Sequence, residues 1–263
     1  MSSENASPAR TETSLDISEQ GQDRNIKRFL RFDRNDKEED QTTSLFASLE
    51  VYHDIVSRSA ALNMAMDEAL LETAEIPTIR FYQWDHSALS FGYFGKFADV
   101  AAHSKERDIV RRWTGGGIVF HGDDLTYSIV IPAADPAFSK SSISIYEKIH
   151  DAIRAAFAAN GRSVELAINS APKISDSCFA NAVRADVLSN GRKIAGAAQR
   201  RTRGGLLQQG SIQGVDLAKN FADQFANELC LECYRKTLYE NVISRAHEIA
   251  DRKYGTGAWL HKR

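Results

Sequence analysis

Three consecutive glycines follow a pair of arginines in the segment RRWTGGGIVFH, and no other segment constrains the fold as much. Glycine in a strand packs no side chain and costs chain entropy, so a run of three needs a reason. One reason is a close approach to an anion or a narrow ligand, bound by backbone N–H groups and a neighbouring arginine. The other is a glycine-rich bulge or hairpin corner. The arginines favour a ligand site, and we expect it to include Arg111, Arg112, Gly115, Gly116 and Gly117.

The overall charge balance argues against two classes of partner. The chain has 33 Lys+Arg against 35 Asp+Glu, a formal net charge of −2 over 263 residues. A near-neutral chain does not bind nucleic acid or anionic membrane through broad electrostatic attraction. No apolar run approaches the roughly 20 residues of a membrane span, and the N-terminus lacks the pattern of a secretory signal. Three cysteines do not make a disulfide framework. We therefore expect a cytoplasmic protein that binds neither nucleic acid nor membrane.

Composition divides the chain into a leader and one domain. Residues 1–44 are polar and mostly lack hydrophobic periodicity, which predicts a disordered leader. Residues 45–263 have the length of a single enzyme domain.

Hydrophobic periodicity predicts the elements of that domain. Strand patterns occur at 78–84 and 88–94, which we expect to pair, and at 117–121 and 125–132 around a GDD turn. Further strands are predicted at 108–114, 164–168 and 206–212, and on both sides of a turn at Asn190-Gly191. Helices are predicted at 57–73, 98–107, 142–161, 216–230 and 238–253. Strands in the middle flanked by helices indicate an α/β or α+β domain with a mixed central sheet.

Lys193 follows the Asn190-Gly191 turn in the segment NGRKIAGAAQRR. On a strand it would face away from Ile194, so it can point into a cleft whose floor is thinned by Gly196, Ala197 and Ala198. Taken alone, a lysine just after a turn is more often a solvated one.

Cys178 lies in the irregular segment SDSCFAN among small polar neighbours. A structural cysteine usually lies inside an apolar element, so this position makes Cys178 a candidate nucleophile, activated if a lysine or arginine is near. Cys230 and Cys233 form a C-x-x-C pattern on a helix-like segment with no second ligand pair, which disfavours zinc. The histidines do not cluster with metal-ligand spacing. His121, after the glycine strand, can face the site or serve the structure.

Several segments together resemble one family, the lipoate–protein ligases and octanoyltransferases, whose catalytic domain is shared with biotin protein ligases. They occur in the family's order and cover residue 45 to the end. These segments are NMAMDEALL (63–71), RFYQWDHSALSFGYF (80–94), RRWTGGGIVFH (111–121), GRKIAGAAQRR (191–201), GLLQQGSI (205–212) and KYGTGAWL (253–260).

The resemblance implies a mixed central sheet flanked by helices and a slot for an eight-carbon acyl chain beside the glycine strand. It implies that Lys193 contacts the activated carbonyl or phosphate, and it implies no metal ligands. The acyl- or substrate-binding residues that it implies are Arg80, Arg111, Arg112, Gly115, Gly116, Gly117, His121, Gly196 and Ala197.

The resemblance leaves three functions open. Cys178 stands 15 residues before Lys193 and is followed by Phe179, where the family's cysteine-dependent octanoyltransferases carry their nucleophile. Those enzymes move octanoyl from acyl carrier protein to lipoyl domains of 2-oxo acid dehydrogenases or of the glycine cleavage carrier protein, without a cofactor. The first alternative is a lipoate–protein ligase that uses ATP and Mg²⁺ to form lipoyl-AMP. The second is a non-catalytic relative that binds lipoyl groups.

Overall fold

The computed structural model describes residues 44–170 and 182–262. The predicted leader therefore lies outside the described residues except for Ser44, and so does Cys178.

The described chain forms two β-sheets and five α-helices. The strands are β1 (Phe46–Arg58), β2 (Thr78–Trp84), β3 (Ala88–Phe91), β4 (Asp108–Arg111), β5 (Val119–His121), β6 (Leu125–Pro132), β7 (Glu165–Leu166), β8 (Val187–Ser189), β9 (Arg192–Arg201), β10 (Gly205–Ile212) and β11 (Cys230–Lys236). The helices are α1 (Ala60–Thr73), α2 (Ser142–Ala159), α3 (Phe221–Leu229), α4 (Glu240–Ile249) and α5 (Gly257–Leu260).

The larger sheet has the strand order β11-β1-β2-β6-β10-β9-β8-β7, and the smaller sheet has the order β4-β3-β5. In the larger sheet β1 pairs in parallel with β11 and β2, whereas the pairs from β2 to β6 and onward are antiparallel. The predicted mixed sheet flanked by helices is therefore confirmed.

Helices cover the two faces of the larger sheet. Neighbouring residues of β2 show the division, because Phe81 packs in one hydrophobic core with α2 and α3, and Tyr82 packs in a second core with α1 and α4. This alternation follows from the two-residue period of a strand. The helix predicted at 142–161 is confirmed as α2, which Ser141 caps at its N-terminus; Gly161, at φ +70°, follows its end.

The predicted local strand pairings differ from the structure in two places. β2 and β3 do not pair, since β2 lies between β1 and β6 in the larger sheet and β3 is the centre of the smaller sheet. Likewise, β5 and β6 flank the GDD turn but belong to different sheets. The hairpin at Asn190-Gly191 is confirmed, and both residues adopt positive φ angles, 50° and 72°.

Other differences concern helices. The helix predicted at 98–107 is a pair of 3₁₀ turns, Phe97–Asp99 and Ala101–His103. The helix predicted at 216–230 ends at Leu229, and the chain continues as the edge strand β11, in which Cys230 and Cys233 form a disulfide that the sequence did not indicate. The strand β1 was also missed. Across the described ranges, no helix has both the length and the apolar character needed to cross a membrane.

Candidate active site

A pocket lies where the two sheets meet, with one residue of α1 in its wall. Its empty volume is about 450 Å³. The lining residues are Met64, Tyr82, Trp84, Ser90, Arg112, Val119, His121, Thr126, Lys193, Gly196, Ala197, Ala198, Gln209, Gly210 and Ser211. Apolar and small side chains form most of this wall, and Arg112 and Lys193 bring positive charge to it.

Lys193 is the second residue of β9, and its side chain lines the pocket. Its Nζ lies 2.8 Å from Oδ2 of Asp186, and only 6% of the lysine side chain is exposed. A Cβ atom built at Gly196 would overlap Lys193 Cε and lie 2.6 Å from Nζ. Gly196 therefore leaves the space that the lysine side chain occupies. The structure brings Lys193 together with Gly196, Ala197 and Ala198, the residues that the sequence placed on one cleft floor.

Asp186 holds the lysine and was not among the predicted site residues. It is fully buried, and its carboxylate accepts hydrogen bonds from the Tyr146 hydroxyl at 2.6 Å and from Val183 N at 2.7 Å. The Tyr146 oxygen in turn accepts a bond from Ala197 N at 3.1 Å. Tyr146 thus ties the acid that holds Lys193 to the pocket floor. The sequence does not show this contact, because Tyr146 and Asp186 are 40 positions apart and meet only in the folded chain.

Two of the three glycines, Gly115 and Gly116, lie against the backbone of Gly92. A Cβ atom built at Gly92 would overlap the carbonyl oxygen of Gly116 and lie 2.7 Å from that of Gly115, and Gly116 has φ +84°. Arg112 donates from Nη2 to the carbonyl oxygens of Gly115 and Gly117, at 3.0 and 2.8 Å. The carbonyl oxygens of this segment therefore bind Arg112, and the glycines are not among the lining residues. The expectation that their N–H groups bind an anion stays a prediction.

Two of the predicted arginines do not line the pocket. Arg111 is 1% exposed, and its guanidinium donates to the backbone carbonyls of Tyr93, Gly95, Trp259, Leu260 and Lys262. The donors of Arg111 thus hold the C-terminal segment, and the expectation that Arg111 binds substrate stays a prediction.

Arg80 is likewise a structural residue. It is fully buried and pairs with Asp54 at 2.8 Å and Asp67 at 3.0 Å. Arg80 is not among the residues that line this pocket, and its expected contact with substrate stays a prediction. Asp67 also accepts a bond from the pocket residue Gln209 at 2.8 Å, so Arg80 supports the pocket wall through a buried network.

His121 does line the pocket, where it stacks on Trp84 with ring centroids 4.2 Å apart. Its Nε2 lies 2.7 Å from Ser90 Oγ and its Nδ1 lies 2.8 Å from Asp124 Oδ2. Sequence reasoning missed both partners, because a serine in a strand and an aspartate in a turn are ordinary there. The predicted nucleophile Cys178 lies outside the described residues. Among the residues that are described, no group of three or more metal-ligating side chains occurs.

The sequence of this chain is similar to those of known octanoyltransferases. The chain is 36% identical over 208 residues to octanoyltransferase LipM of Oceanobacillus iheyensis, covering 74% of this chain and 76% of that protein. It is 35% identical to octanoyltransferase LipM of Brevibacillus brevis, covering 78% and 96%.

Solved structures share the fold at lower identity. Lipoate-protein ligase A bound with ATP matches with a TM-score of 0.66 at 21% identity, covering 82% of this chain and 98% of that one. The bipartite lipoate protein ligase of Thermoplasma acidophilum, solved in a study of that ligase and its E2 lipoyl domain, matches with a TM-score of 0.61 at 21% identity, covering 82% and 96%.

The family model for the lipoyl protein ligase A/B catalytic domain matches residues 59–236, from the residue that caps α1 to the end of β11. This match covers the smaller sheet, every strand of the larger sheet except β1, and every pocket residue, so the chain belongs to the lipoyl protein ligase A/B catalytic domain family.

Proposed function

We propose that this protein is an octanoyltransferase that moves an octanoyl group from a carrier-protein thioester to a lysine of a lipoyl domain. The LipM relatives support the reaction, and the bipartite ligase, studied with a lipoyl domain, supports that class of acceptor. The donor, octanoyl bound to acyl carrier protein, comes from the resemblance seen in the sequence.

The observation that carries the proposal is a pocket with apolar walls and two cationic side chains. Met64, Val119 and Ala198 offer apolar contacts for an acyl tail. Arg112 and Lys193 can donate hydrogen bonds to a carbonyl oxygen that becomes negatively charged during acyl transfer. This combination suits an acyl thioester, which has a long apolar part and one reactive polar end.

The proposed nucleophile is Cys178. Its thiolate attacks the carbonyl carbon of the donor thioester, the bond from that carbon to the donor sulfur breaks, and the donor leaves as a thiolate that takes up a proton. The neutral amine of the acceptor lysine then attacks the acyl-Cys178 thioester. The carbon–sulfur bond to Cys178 breaks, the nitrogen loses a proton and an amide forms. One thioester replaces another in the first step, so no ATP is consumed.

Asp186 holds Lys193 for this reaction. Its carboxylate binds Nζ of Lys193 and also accepts a hydrogen bond from the N–H of Val183. We assign Lys193 the stabilisation of the oxyanion, with Asp186 keeping Nζ at a fixed position.

Intact-mass spectrometry tests the proposal. Incubated with octanoyl carrier protein, the full chain should gain about 126 Da, the mass of one C8 acyl group, on Cys178. The Cys178→Ala variant should lose the adduct and amide formation, whereas the double variant Cys230→Ala/Cys233→Ala should keep both. An adduct that persists in Cys178→Ala would reject the cysteine mechanism.

A second assay distinguishes the two alternatives. A lipoate–protein ligase is favoured by the ATP-bound ligase that shares this fold and by the two cations, which also suit an adenylate phosphate. If Cys178→Ala remains active with lipoate, ATP and Mg²⁺, the protein is a ligase. Binding without turnover in both assays would make it a non-catalytic relative.

A further inference from the structure

Four polar side chains form a continuous hydrogen-bonded line along one wall of the pocket. The contacts are Asp124 Oδ2 to His121 Nδ1 at 2.8 Å, His121 Nε2 to Ser90 Oγ at 2.7 Å, and Arg112 Nη1 to Ser90 Oγ at 2.7 Å. All four side chains are more than nine-tenths buried. The line therefore lies inside the protein, and its last member, Arg112, is one of the two cations of the pocket.

Three of the four residues lie on or next to the three strands of the smaller sheet. Ser90 lies on the central strand β3, His121 on its neighbour β5, and Arg112 directly after its other neighbour β4. The N–H of Arg112 donates to the Phe91 carbonyl at 2.8 Å, so the pairing of β3 and β4 continues to this residue. The strand order β4-β3-β5 thus places serine between arginine and histidine.

Asp124 fixes the direction in which the donors point. Burial alone would raise the pKa of Asp124, but hydrogen bonds from His121, Ser211 and Thr126 outweigh burial and lower it to about 2. An ionised carboxylate only accepts, so His121 Nδ1 carries a hydrogen, and in the tautomer with its hydrogen on Nδ1 the Nε2 atom accepts one from Ser90. The lone pairs of Ser90 are then available to Arg112, and each donor in the line points towards Asp124.

We propose that Ser90, His121 and Asp124 are positioning residues that hold the guanidinium of Arg112 at the reacting carbonyl; this inference rests on the proposed octanoyl transfer. Gly115 and Gly117 bind Nη2 of the same guanidinium, and Ser90 binds Nη1. A serine, histidine and aspartate in line also resemble a nucleophilic triad. Ser90 does not act as a nucleophile here, because its oxygen is fully buried and already accepts a hydrogen bond from Arg112.

A double-mutant cycle between Ser90 and Arg112 tests the inference. The rate of acyl-Cys178 formation is measured by intact mass for the wild-type protein, Ser90→Ala, Arg112→Gln and the double variant. Ser90→Ala should lower the maximal rate by about 10- to 100-fold with little change in the KM for octanoyl carrier protein, since it disturbs a contact used in the transition state. In the Arg112→Gln background the same change should cost less than about twofold.

Asp124→Asn provides a second variant, because an amide permits the other histidine tautomer without changing the shape of the side chain. It should lower the rate as Ser90→Ala does. The matched control is Asp123→Asn, the same change at the exposed neighbouring position, which should react at the wild-type rate. Thermal unfolding of each variant records any loss of stability.

Three results would overturn the inference while acyl transfer by the wild-type protein stands. They are an equal cost of Ser90→Ala in both backgrounds, an Asp124→Asn variant as fast as Asp123→Asn, and an octanoyl ester on a peptide that contains Ser90. If the wild-type protein forms no acyl-Cys178 at all, the proposed function fails first and the inference fails with it.

Discussion

At the residue scale, Gly196 controls where the amine of Lys193 can be. A methyl group at position 196 would occupy the space of the last carbon and the nitrogen of that lysine. These atoms end a flexible side chain, so they can move away without a shift of the backbone. They cannot move away without leaving Asp186 and the pocket floor.

We therefore predict that Gly196→Ala lowers both transfer activity and the melting temperature, because Asp186 loses its buried partner. A displacement of about 1 Å at a catalytic group can cost on the order of 100-fold in rate, and we expect a loss of this order. The measurements are the steady-state rate of lipoyl-domain octanoylation and the melting temperature. Gly204→Ala is the matched control, since a Cβ there would meet only Thr202 Oγ1 at 3.8 Å. Equal rates for the two variants would contradict the prediction.

Sequence reasoning found the pocket residues that carry a local signal. Lys193, Gly196 and Ala197 follow one another after a recognisable turn, and the pocket brings them together. It missed Asp186 and Ser90, whose partners come from elements distant in sequence. It could not show the acceptors that surround Arg80 and Arg111, because a sequence shows an arginine's charge and not its partners; the assignment of both arginines to substrate remains a prediction. The assignment of Cys178 remains a prediction.

At the scale of elements, the errors came from pairing between distant segments. β1 pairs with β11, about 180 residues away in the chain, and no local sequence pattern predicts a pairing over that distance. β11 is an edge strand with several exposed polar side chains, and no strand was predicted between the helices at 216–230 and 238–253. Consecutive strands such as β2 and β3 suggested a hairpin, but each has its partners in a different sheet. Helices with clear caps and periodicity, such as α2, were predicted well.

The side chain of Arg111 binds the C-terminal helix α5. Arg111 donates to the carbonyls of Trp259, Leu260 and Lys262, and Trp259 Nε1 donates back to the Arg111 carbonyl at 2.9 Å. A hydrogen bond to a charged group contributes about 1.5–3 kcal/mol, more than a neutral one. The last turn of the chain is thus held by the charge of Arg111.

We predict that Arg111→Met destabilises the protein by about 3 kcal/mol and speeds hydrogen exchange at 257–262, because buried carbonyls lose their donors. Urea unfolding and exchange followed by mass spectrometry measure the two effects. Arg252→Met is the control, since this arginine is exposed. Unchanged exchange at 257–262 in Arg111→Met would show that other contacts hold the segment.

At the scale of the whole molecule, the pocket is a junction between sheets. The larger sheet supplies Lys193 and the smaller sheet supplies the line that ends at Arg112. Helix α2 supports the position of Lys193 through Asp186 and its neighbour Ala185. Tyr146 binds Asp186, and His150 contacts the carbonyl of Ala185 at 2.6 Å. The stability of the fold and the placement of the cations therefore depend on the same buried polar groups.

His150 makes this support sensitive to pH. Burial lowers the pKa of His150 from 6.5 to about 4 in the folded protein, and Lys193 acts in the same direction, against the opposing effects of Asp186 and the Ala185 carbonyl. As the pH falls below 6.5, the unfolded chain therefore takes up a proton before the folded protein does. The contribution of His150 to stability is fully present above pH 6.5 and is lost progressively as the pH falls towards 4.

We predict that the wild-type protein loses about 2 kcal/mol more stability between pH 7 and pH 5 than His150→Gln, since the variant has no imidazole to protonate. The free energy of unfolding in urea, measured for both proteins at the two pH values, gives this difference. His86→Gln removes an exposed imidazole instead and should keep the wild-type pH dependence. If His150→Gln and the wild-type protein lose the same free energy, His150 is protonated in the folded protein as readily as in the unfolded chain. Burial then does not control its charge.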